Sequence, residues 1–99
     1  MALRVKISAR AATEVQRAAA WWEANRPSVP GAVAADFGES VALLAEQPGI
    51  GAEYEGARTP GVRQLFLGRL RYFIYYKVES GSLNVLSFWH ARRENQPAL

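Results

Sequence analysis

The chain has 99 residues, of which 49% are hydrophobic and 21% charged, and it contains no cysteine. This length predicts a single domain over residues 1–99 that buries roughly 60–65% of the surface of the unfolded chain. The lack of cysteine excludes a disulfide framework and a thiolate metal site, and we expect neither a metal nor a cofactor. No stretch reaches the ~18 apolar residues of a membrane span, and the N-terminus has no secretory pattern. We therefore expect a cytoplasmic protein that does not act in the membrane.

Positive charge is concentrated in the second part of the chain. Residues 1–57 carry five basic and seven acidic side chains, whereas residues 58–99 carry seven basic and two acidic ones. Ten of the twelve basic residues are arginines, and the planar guanidinium group binds phosphate or carboxylate through two parallel hydrogen bonds. This distribution indicates an anionic partner, which could be nucleic acid or an acidic protein segment. The alternative is a solvated basic face.

The first half of the chain predicts one strand and two helices. Residues 3–7 alternate between apolar and polar, a pattern typical of a half-buried strand. Ser8 can cap a helix that runs to about Asn25, and a second helix follows to about Gln47. The short link between the two helices predicts an antiparallel helical hairpin.

The second half predicts a loop and three strands. Residues 48–61 contain four glycines and two prolines, which favour a loop over a regular element. Strands are predicted at about 63–67, 71–78 and 83–89, and the short links between them indicate an antiparallel meander. The fold class is therefore α+β, with the order β-α-α-β-β-β and a helical hairpin packed on one face of a small antiparallel sheet.

Alternation along the strands predicts an uncovered aromatic face. In the strand at 71–78, the even-numbered side chains are expected to meet the helices, and the odd-numbered ones, including Phe73 and Tyr75, to point away from them. The strand at 83–89 carries apolar side chains on both faces, so some of them stay outside whichever face packs on the helices. An aromatic strip beside basic residues predicts an interaction surface. The alternative is that the loop at 48–61 folds over this face.

Three segments carry a resemblance to a known family. The first helix contains an alanine-rich run that ends in an aromatic pair, Glu and Pro (AAAWWEANRP), and the second helix closes in Pro and Gly (FGESVALLAEQPGIG). The meander begins with arginine and contains a Tyr-x-x-x-Tyr strand and a terminal His-x-x-Arg (VRQLFLGRLRYFIYYKVESGSLNVLSFWHARR). In their order and spacing, these segments resemble the RelE/ParE superfamily of bacterial toxins from type II toxin–antitoxin pairs. They are most similar to its ParE branch.

The resemblance implies a bacterial, plasmid- or chromosome-encoded toxin that arrests growth. It implies an antitoxin partner whose C-terminal segment wraps around the helical hairpin and the sheet, in a heterodimer or heterotetramer. The implied target is DNA gyrase for ParE-like members and mRNA in the ribosome for RelE-like members. Our first interpretation is a non-enzymatic gyrase inhibitor. The alternatives are a RelE-like, metal-independent mRNA endonuclease, or a toxin-fold protein without toxicity that acts only in an autoregulatory DNA-binding complex.

Five basic residues are predicted to contact the target. Nuclease chemistry without a metal needs a base, cations for the phosphate and an acid. Arg63 and Arg71 could hold the phosphate, and His90 titrates near neutrality. Glu53 or Glu55 could serve as the base. RelE-like nucleases usually carry a tyrosine just after the last strand, and this chain has no tyrosine after Tyr76. The predicted target-binding residues are Arg63, Arg71, His90, Arg92 and Arg93.

Four aromatic residues are predicted to contact the antitoxin. Trp21 lies at the edge of the apolar stripe of the first helix, whereas Trp22 lies within the stripe and is predicted to be core. Phe73 and Tyr75 lie on the predicted open face, as could Trp89. The predicted antitoxin-binding residues are Trp21, Phe73, Tyr75 and Trp89. His90 has a structural alternative as a hydrogen-bonding residue at a strand end.

Overall fold

Two helices pack on one face of a five-stranded sheet in the computed structural model, which describes residues 2–93 and 95–99. The predicted α+β fold and its element order are confirmed. The loop at 48–61 additionally contains a short 3₁₀ turn, Pro48–Ile50, and a two-residue strand. The elements are β1 (Arg4–Ile7), α1 (Ala9–Asn25), α2 (Ala32–Glu46), β2 (Ala52–Glu53), β3 (Arg63–Leu67), β4 (Tyr72–Glu79) and β5 (Ser82–His90).

The sheet has the strand order β1-β5-β4-β3-β2. Strands β2 to β5 form the predicted antiparallel meander, but β1 runs parallel to β5. The turn between β4 and β5 has positive φ angles at both Ser80 (52°) and Gly81 (76°), which is the backbone of a type I′ hairpin turn. The prediction of a half-buried β1 is wrong, because all four of its residues are exposed at the edge of the sheet.

Helix α1 begins where the sequence predicts. The Ser8 hydroxyl accepts a hydrogen bond from the Ala11 amide at 3.0 Å and donates one to the Leu86 carbonyl at 3.1 Å. It therefore caps the helix and ties it to β5. At the other end, the Arg26 amide donates to the Trp22 carbonyl at 2.7 Å before Pro27 stops the helix.

The main core lies between the helices and the sheet. Phe88 is its aromatic centre: it meets Phe37 of α2 edge-on at 5.5 Å and stacks on Tyr72 at 4.5 Å, with an angle of 8° between the ring planes. Val78 was predicted to face the helices, but it is 44% exposed because it lies near the β4–β5 turn, beyond the helices. The other large buried side chains of this core are Val33, Val41, Leu44, Leu67, Leu70, Ile74, Tyr76, Leu83 and Val85.

A β-bulge changes the alternation in β5. Tyr75 pairs with Ser87 and Tyr76 with Val85, so Leu86 is an extra residue. The strand therefore turns Val85 inward before the bulge and Phe88 inward after it, which strict alternation does not allow. Glu14 of α1 fixes this geometry, because its carboxylate accepts hydrogen bonds from the Ser87 hydroxyl at 2.8 Å and the Phe88 amide at 3.0 Å.

The opposite face of the sheet is covered by a loop and by the C-terminal segment. Tyr75 is only 2% exposed, and Tyr54 from the loop meets it edge-on at 4.8 Å. The Trp89 indole donates to the Asn95 carbonyl at 2.8 Å, which holds the C-terminal segment near the same face. The predicted uncovered aromatic face is therefore wrong, and the alternative of a covering loop is correct. Element counting missed this cover because it comes from irregular backbone.

Neither helix within the described residues is both long and apolar enough to cross a membrane.

Candidate functional site: an arginine-lined cleft

A cleft lies between the C-terminal end of α1, the β3–β4 turn and the end of β5. Its volume is about 710 Å³, which is within the usual range for a ligand site. Four arginines and three aromatic side chains dominate its lining, and no carboxylate of the described residues lines it. We call it the arginine cleft; its lining residues are Trp21, Trp22, Arg26, Arg69, Leu70, Arg71, Tyr72, His90 and Arg92.

Arg71 has an unfavourable backbone conformation in the β3–β4 turn. Its φ angle is 64°, in the left-handed region that costs a non-glycine residue about 1–2 kcal/mol. Two backbone hydrogen bonds hold it there, from its amide to the Leu67 carbonyl at 2.8 Å and from the Ala91 amide to its carbonyl at 2.9 Å. Such conformations persist where the surroundings impose them and cluster at functional sites.

His90 is held as a neutral ring. Its Nδ1 atom accepts a hydrogen bond from the Arg92 amide at 3.0 Å, which places the proton of the neutral imidazole on Nε2. Burial lowers the pKa of His90 from the ordinary value of 6.5, and the charges of Arg92 and Arg93 lower it further. The ring also meets Tyr72 edge-on at 4.9 Å. At neutral pH, His90 is therefore a hydrogen-bond donor to the cleft without a positive charge.

Two tryptophans and an arginine form the wall that α1 contributes. Trp21 is 50% exposed, and its ring centroid lies 6.4 Å from that of the more buried Trp22. The Arg26 guanidinium lies 5.6 Å from the Trp21 ring centroid and 6.0 Å from that of Trp22. These distances are within the range of cation–π attraction, so the wall combines a flat apolar surface with a positive charge.

Arg69 differs from the other arginines of the cleft because it is paired. Its Nε and Nη2 atoms donate to the two Asp36 oxygens at 2.9 and 2.6 Å. The hydrogen bond with Asp36 and the charge of that carboxylate raise the pKa of Arg69. This pair joins the β3–β4 turn to α2 and offsets the charge of Arg69, so Arg26, Arg71 and Arg92 dominate the field in the cleft.

A smaller cleft of about 240 Å³ continues the arginine cleft along α1. The two share Trp21, Tyr72 and His90, and the smaller cleft adds Arg17 and Arg93. It also contains Glu14, whose carboxylate already accepts hydrogen bonds from Ser87 and the Phe88 amide. The Arg93 guanidinium also stacks 4.1 Å from the centroid of the Trp89 ring. The basic surface therefore extends beyond the end of β5.

The structure brings together four of the five predicted target-binding residues. Arg71, His90 and Arg92 line the arginine cleft, and Arg93 lines its smaller continuation. Arg63 does not join them, because it lies at the other end of β3.

Arg63 contacts the loop after α2. Its Nη1 atom donates to the Gly51 carbonyl at 2.6 Å, while the Tyr76 hydroxyl donates to the Pro48 carbonyl at 2.6 Å and accepts from the Gly51 amide at 3.0 Å. A Cβ atom on residue 51 would collide with the Tyr76 hydroxyl, so only glycine fits there. The geometry gives Arg63 a structural contact with this loop.

The residues named for a nuclease are separated in the structure. Glu53 and Glu55 line a different pocket together with Arg63, away from the cleft that His90 lines. Arg63 pairs with Tyr76, whereas His90 pairs with Tyr72, four residues away along β4. That spacing corresponds to roughly 13 Å along the strand. The expected assembly of base, cations and acid is not formed.

The predicted antitoxin-binding residues differ in accessibility. Trp21 is exposed, and Phe73 and Trp89 are half-buried. Tyr75 is buried, and this burial, with a smaller contribution from Tyr54, raises the pKa of its hydroxyl to about 12. The prediction that Tyr75 lies on the surface is therefore wrong.

Five residues that line the cleft were not predicted to bind a ligand: Trp22, Arg26, Arg69, Leu70 and Tyr72. Trp22 was assigned to the core, and although it packs there it also lines the cleft. Arg26 and Arg69 were not selected from among the ten arginines. Arg26 follows the aromatic pair of α1 by one helical turn, and this spacing is a signal that could have identified it.

A second surface combines an exposed apolar side chain with acidic ones. Leu43 of α2 is 45% exposed. Leu43 lines a groove of about 510 Å³ between α2 and the β3–β4 turn, together with Asp36 and Glu39. We call this the α2 groove. Within residues 2–93 and 95–99, no group of three or more His, Cys, Asp or Glu side chains could hold a metal ion.

Comparisons with known proteins agree with this architecture. Residues 5–95 match the family model described as the ParE toxin of the type II toxin–antitoxin system parDE. The fold is similar to a solved chain described as a chromosomal ParDE toxin–antitoxin system from P. aeruginosa, with a TM-score of 0.75 and 21% sequence identity. That similarity covers 91% of this chain and 97% of the other. No individual curated protein matches the sequence.

Proposed function

The chain belongs to the ParE toxin family of type II toxin–antitoxin systems, and from this premise we propose that it inhibits DNA gyrase through the arginine cleft. The observation that carries the proposal is the grouping of Arg26, Arg71 and Arg92 around one cleft, which no carboxylate of residues 2–93 and 95–99 lines. Such a cleft favours an anionic partner, and arginine favours phosphate or carboxylate contacts with defined geometry.

A binding role fits the cleft better than nuclease chemistry. The Nδ1 atom of His90 is occupied by the Arg92 amide, and its lowered pKa keeps the ring neutral, so it is a weak candidate for a proton-donating acid. The carboxylates that could serve as a base line another pocket. The endonuclease therefore remains the second candidate, favoured only by the position of His90 between arginines.

We further propose that a cognate antitoxin neutralises the protein by covering its helical hairpin. Trp21 and Leu43 are large apolar side chains exposed on this hairpin, and such side chains are typical of protein interfaces. Trp21 is also part of the arginine cleft. A partner that packs on Trp21 would close the cleft, which links antitoxin binding to loss of target binding.

The gyrase proposal is tested by measuring supercoiling of relaxed plasmid with purified protein while transcripts are mapped in a translating extract. We expect supercoiling to stop and the transcripts to stay intact. Arg92→Ala should weaken inhibition about tenfold or more, as expected for losing a hydrogen bond to a charged group. Arg58→Ala is the matched control, because it removes the same charge from the loop on the other face of the sheet.

The other outcomes separate the alternatives. Cut transcripts with unaffected supercoiling would support the endonuclease and refute gyrase inhibition. If neither activity is present but the protein binds an antitoxin, the non-toxic autoregulatory partner is the correct interpretation.

The antitoxin proposal has its own test. A small antitoxin-like protein encoded beside this gene should bind the purified chain and restore supercoiling. Leu43→Ala should weaken that binding. Val78→Ala, at an exposed position near the β4–β5 turn, should not. Equal effects of the two substitutions would place the antitoxin interface elsewhere.

A further inference from the structure

The arginine cleft has two properties that are not required merely to attract an acidic protein. In the part of the chain that the structure describes, its polar lining consists almost entirely of donors: Arg26, Arg71 and Arg92, with no carboxylate in the cleft, and His90 with its proton on Nε2. Its apolar lining is aromatic, and the exposed indole of Trp21 is its outermost flat surface. Donors suit phosphate oxygens, and an exposed indole suits a planar heterocycle.

The cleft is also preorganised for its ligand. The strained backbone of Arg71 is clamped by hydrogen bonds to Leu67 and Ala91, and the Arg92 amide is fixed by His90. Groups held in place before binding lose less entropy when the ligand arrives. Arg26 already lies near both tryptophans, so a stacked ring on Trp21 would have a guanidinium beside it.

We propose that the arginine cleft binds a segment of single-stranded nucleic acid, with phosphates at Arg71 and Arg92 and a base stacked on Trp21. This inference rests on the proposed function, which gives the cleft its role in contacting the target. It adds that the cleft contacts the nucleic acid on which gyrase acts and not the gyrase protein. An acidic peptide could satisfy the arginines, but it has no ring for the exposed indole.

The extent of the basic surface fits a strand of more than one nucleotide. The smaller cleft that carries Arg17 and Arg93 shares three lining residues with the arginine cleft, so the two form one path along α1. A strand that enters at Arg26 and leaves at Arg93 would meet cations at both ends. Positive grooves with stacking side chains are the common features of single-strand binding sites.

The test measures binding without gyrase, by fluorescence anisotropy of labelled oligothymidylate and oligouridylate of about six nucleotides. We expect binding that weakens with salt, with a log–log slope of about −1.4 for the two phosphate contacts at Arg71 and Arg92. Trp21→Ala should weaken binding about fivefold or more through the lost stacking. Arg92→Ala should weaken it and make the slope about 0.7 shallower.

The controls isolate the cleft from general charge. Arg58→Ala removes one charge from the opposite side and should leave both affinity and slope close to wild type. Trp21→Phe keeps a ring and should retain most of the affinity. Circular dichroism of each variant checks that the fold is intact, and the exposed Arg92 provides a second reading if Trp21→Ala is unstable. The oligothymidylate and oligouridylate arms show whether DNA or RNA is preferred.

Three results would overturn the proposal: no oligonucleotide binding by the wild type, binding that Trp21→Ala and Arg92→Ala do not change, or tighter binding of an oligoglutamate peptide at the same residues. The last result would identify an acidic protein segment as the ligand. Gyrase inhibition without oligonucleotide binding refutes this inference and leaves the proposed function. Oligonucleotide binding that depends on Trp21, without gyrase inhibition, supports this inference and refutes the proposed function.

Discussion

The two faces of the sheet are buried by different means. On one face, α1 and α2 place a continuous core against β3, β4 and β5, centred on Phe88. On the other, a small cluster of Tyr54, Val62 and Tyr75 is closed by the loop and by the C-terminal segment. The helix face has many buried apolar neighbours, whereas the loop face depends on a few. Regions with fewer buried contacts open at lower free energy, so the loop face should open first.

The arginines also divide into two groups. Some bind backbone carbonyls: Arg63 donates to Gly51 at 2.6 Å and Arg10 donates to Ala98 at 2.9 Å. Others, namely Arg26, Arg71 and Arg92, line a cleft. The first group holds irregular backbone in place, and the second is available to a ligand.

The largest expected effect is at the centre of the helix face. Phe88→Ala removes the ring that contacts both Phe37 and Tyr72, and should lower the free energy of unfolding by about 3–5 kcal/mol. Urea denaturation followed by circular dichroism measures this. A cost below that of Tyr54→Ala would contradict the assignment of the main core to this face.

A smaller effect is expected on the loop face. Tyr54→Ala should lower the free energy of unfolding by about 2–3 kcal/mol, because few other buried side chains pack against Tyr54 in this cluster. Hydrogen exchange should show faster exchange in the loop at 54–62 than in α1 and α2. Tyr54→Phe is the control: it keeps the contact with Tyr75 and loses only the hydroxyl bonds to Gln96 and Pro97. Uniformly faster exchange throughout the molecule would show that the two faces unfold together.

At the cleft, one substitution should stabilise the fold instead of destabilising it. Arg71→Gly relieves the positive φ angle of 64° and should raise the free energy of unfolding by up to about 1 kcal/mol. The same substitution should weaken ligand binding and gyrase inhibition, since the guanidinium is lost. Thermal unfolding and the supercoiling assay give the two readings. Arg71→Ala separates them, because it removes the charge and keeps the strain.

The smallest effect concerns pH. Because the folded protein holds His90 with a pKa below 6.5, the unfolded chain takes up this proton first as the pH falls. The contribution of His90 to stability is therefore present above about pH 6.5 and decreases below it. His90→Gln should flatten this part of the stability profile measured by thermal unfolding between pH 7 and pH 5. An unchanged profile would show that His90 is not the group responsible.

The bounds of the helices and main strands were predictable because their signals are local. Ser8 caps α1 as expected, and the predicted and observed ends of β3 agree. The bulge at Leu86 was not predictable, since it depends on Glu14, a residue more than seventy positions away that binds the Phe88 amide. The cover on Tyr75 was missed for the same reason: Tyr54 is distant in sequence and lies in irregular backbone.

The candidate site was predicted in part for related reasons. His90 and Arg92 were identifiable because they follow a strand, where polar side chains often serve in binding. Arg63 has the same residue type and a comparable place at a strand end, but it begins β3, whereas His90 ends β5. Since β3 and β5 run in the same direction, Arg63 lies at the opposite end of the strands. Sequence indicated which residue types the site would use, and topology decided which of them meet.

The position of β5 has a consequence for synthesis of the protein. It is the last strand along the chain, yet it pairs with both β1 and β4 and carries the Glu14 contact of α1. During translation, β1 and both helices emerge well before residues 82–90, and until then β1 has no neighbouring strand and α1 lacks the strand that Glu14 binds. Native folding on the ribosome must therefore wait for β5, and nascent chains that lack it should expose apolar helix surface to chaperones and proteases.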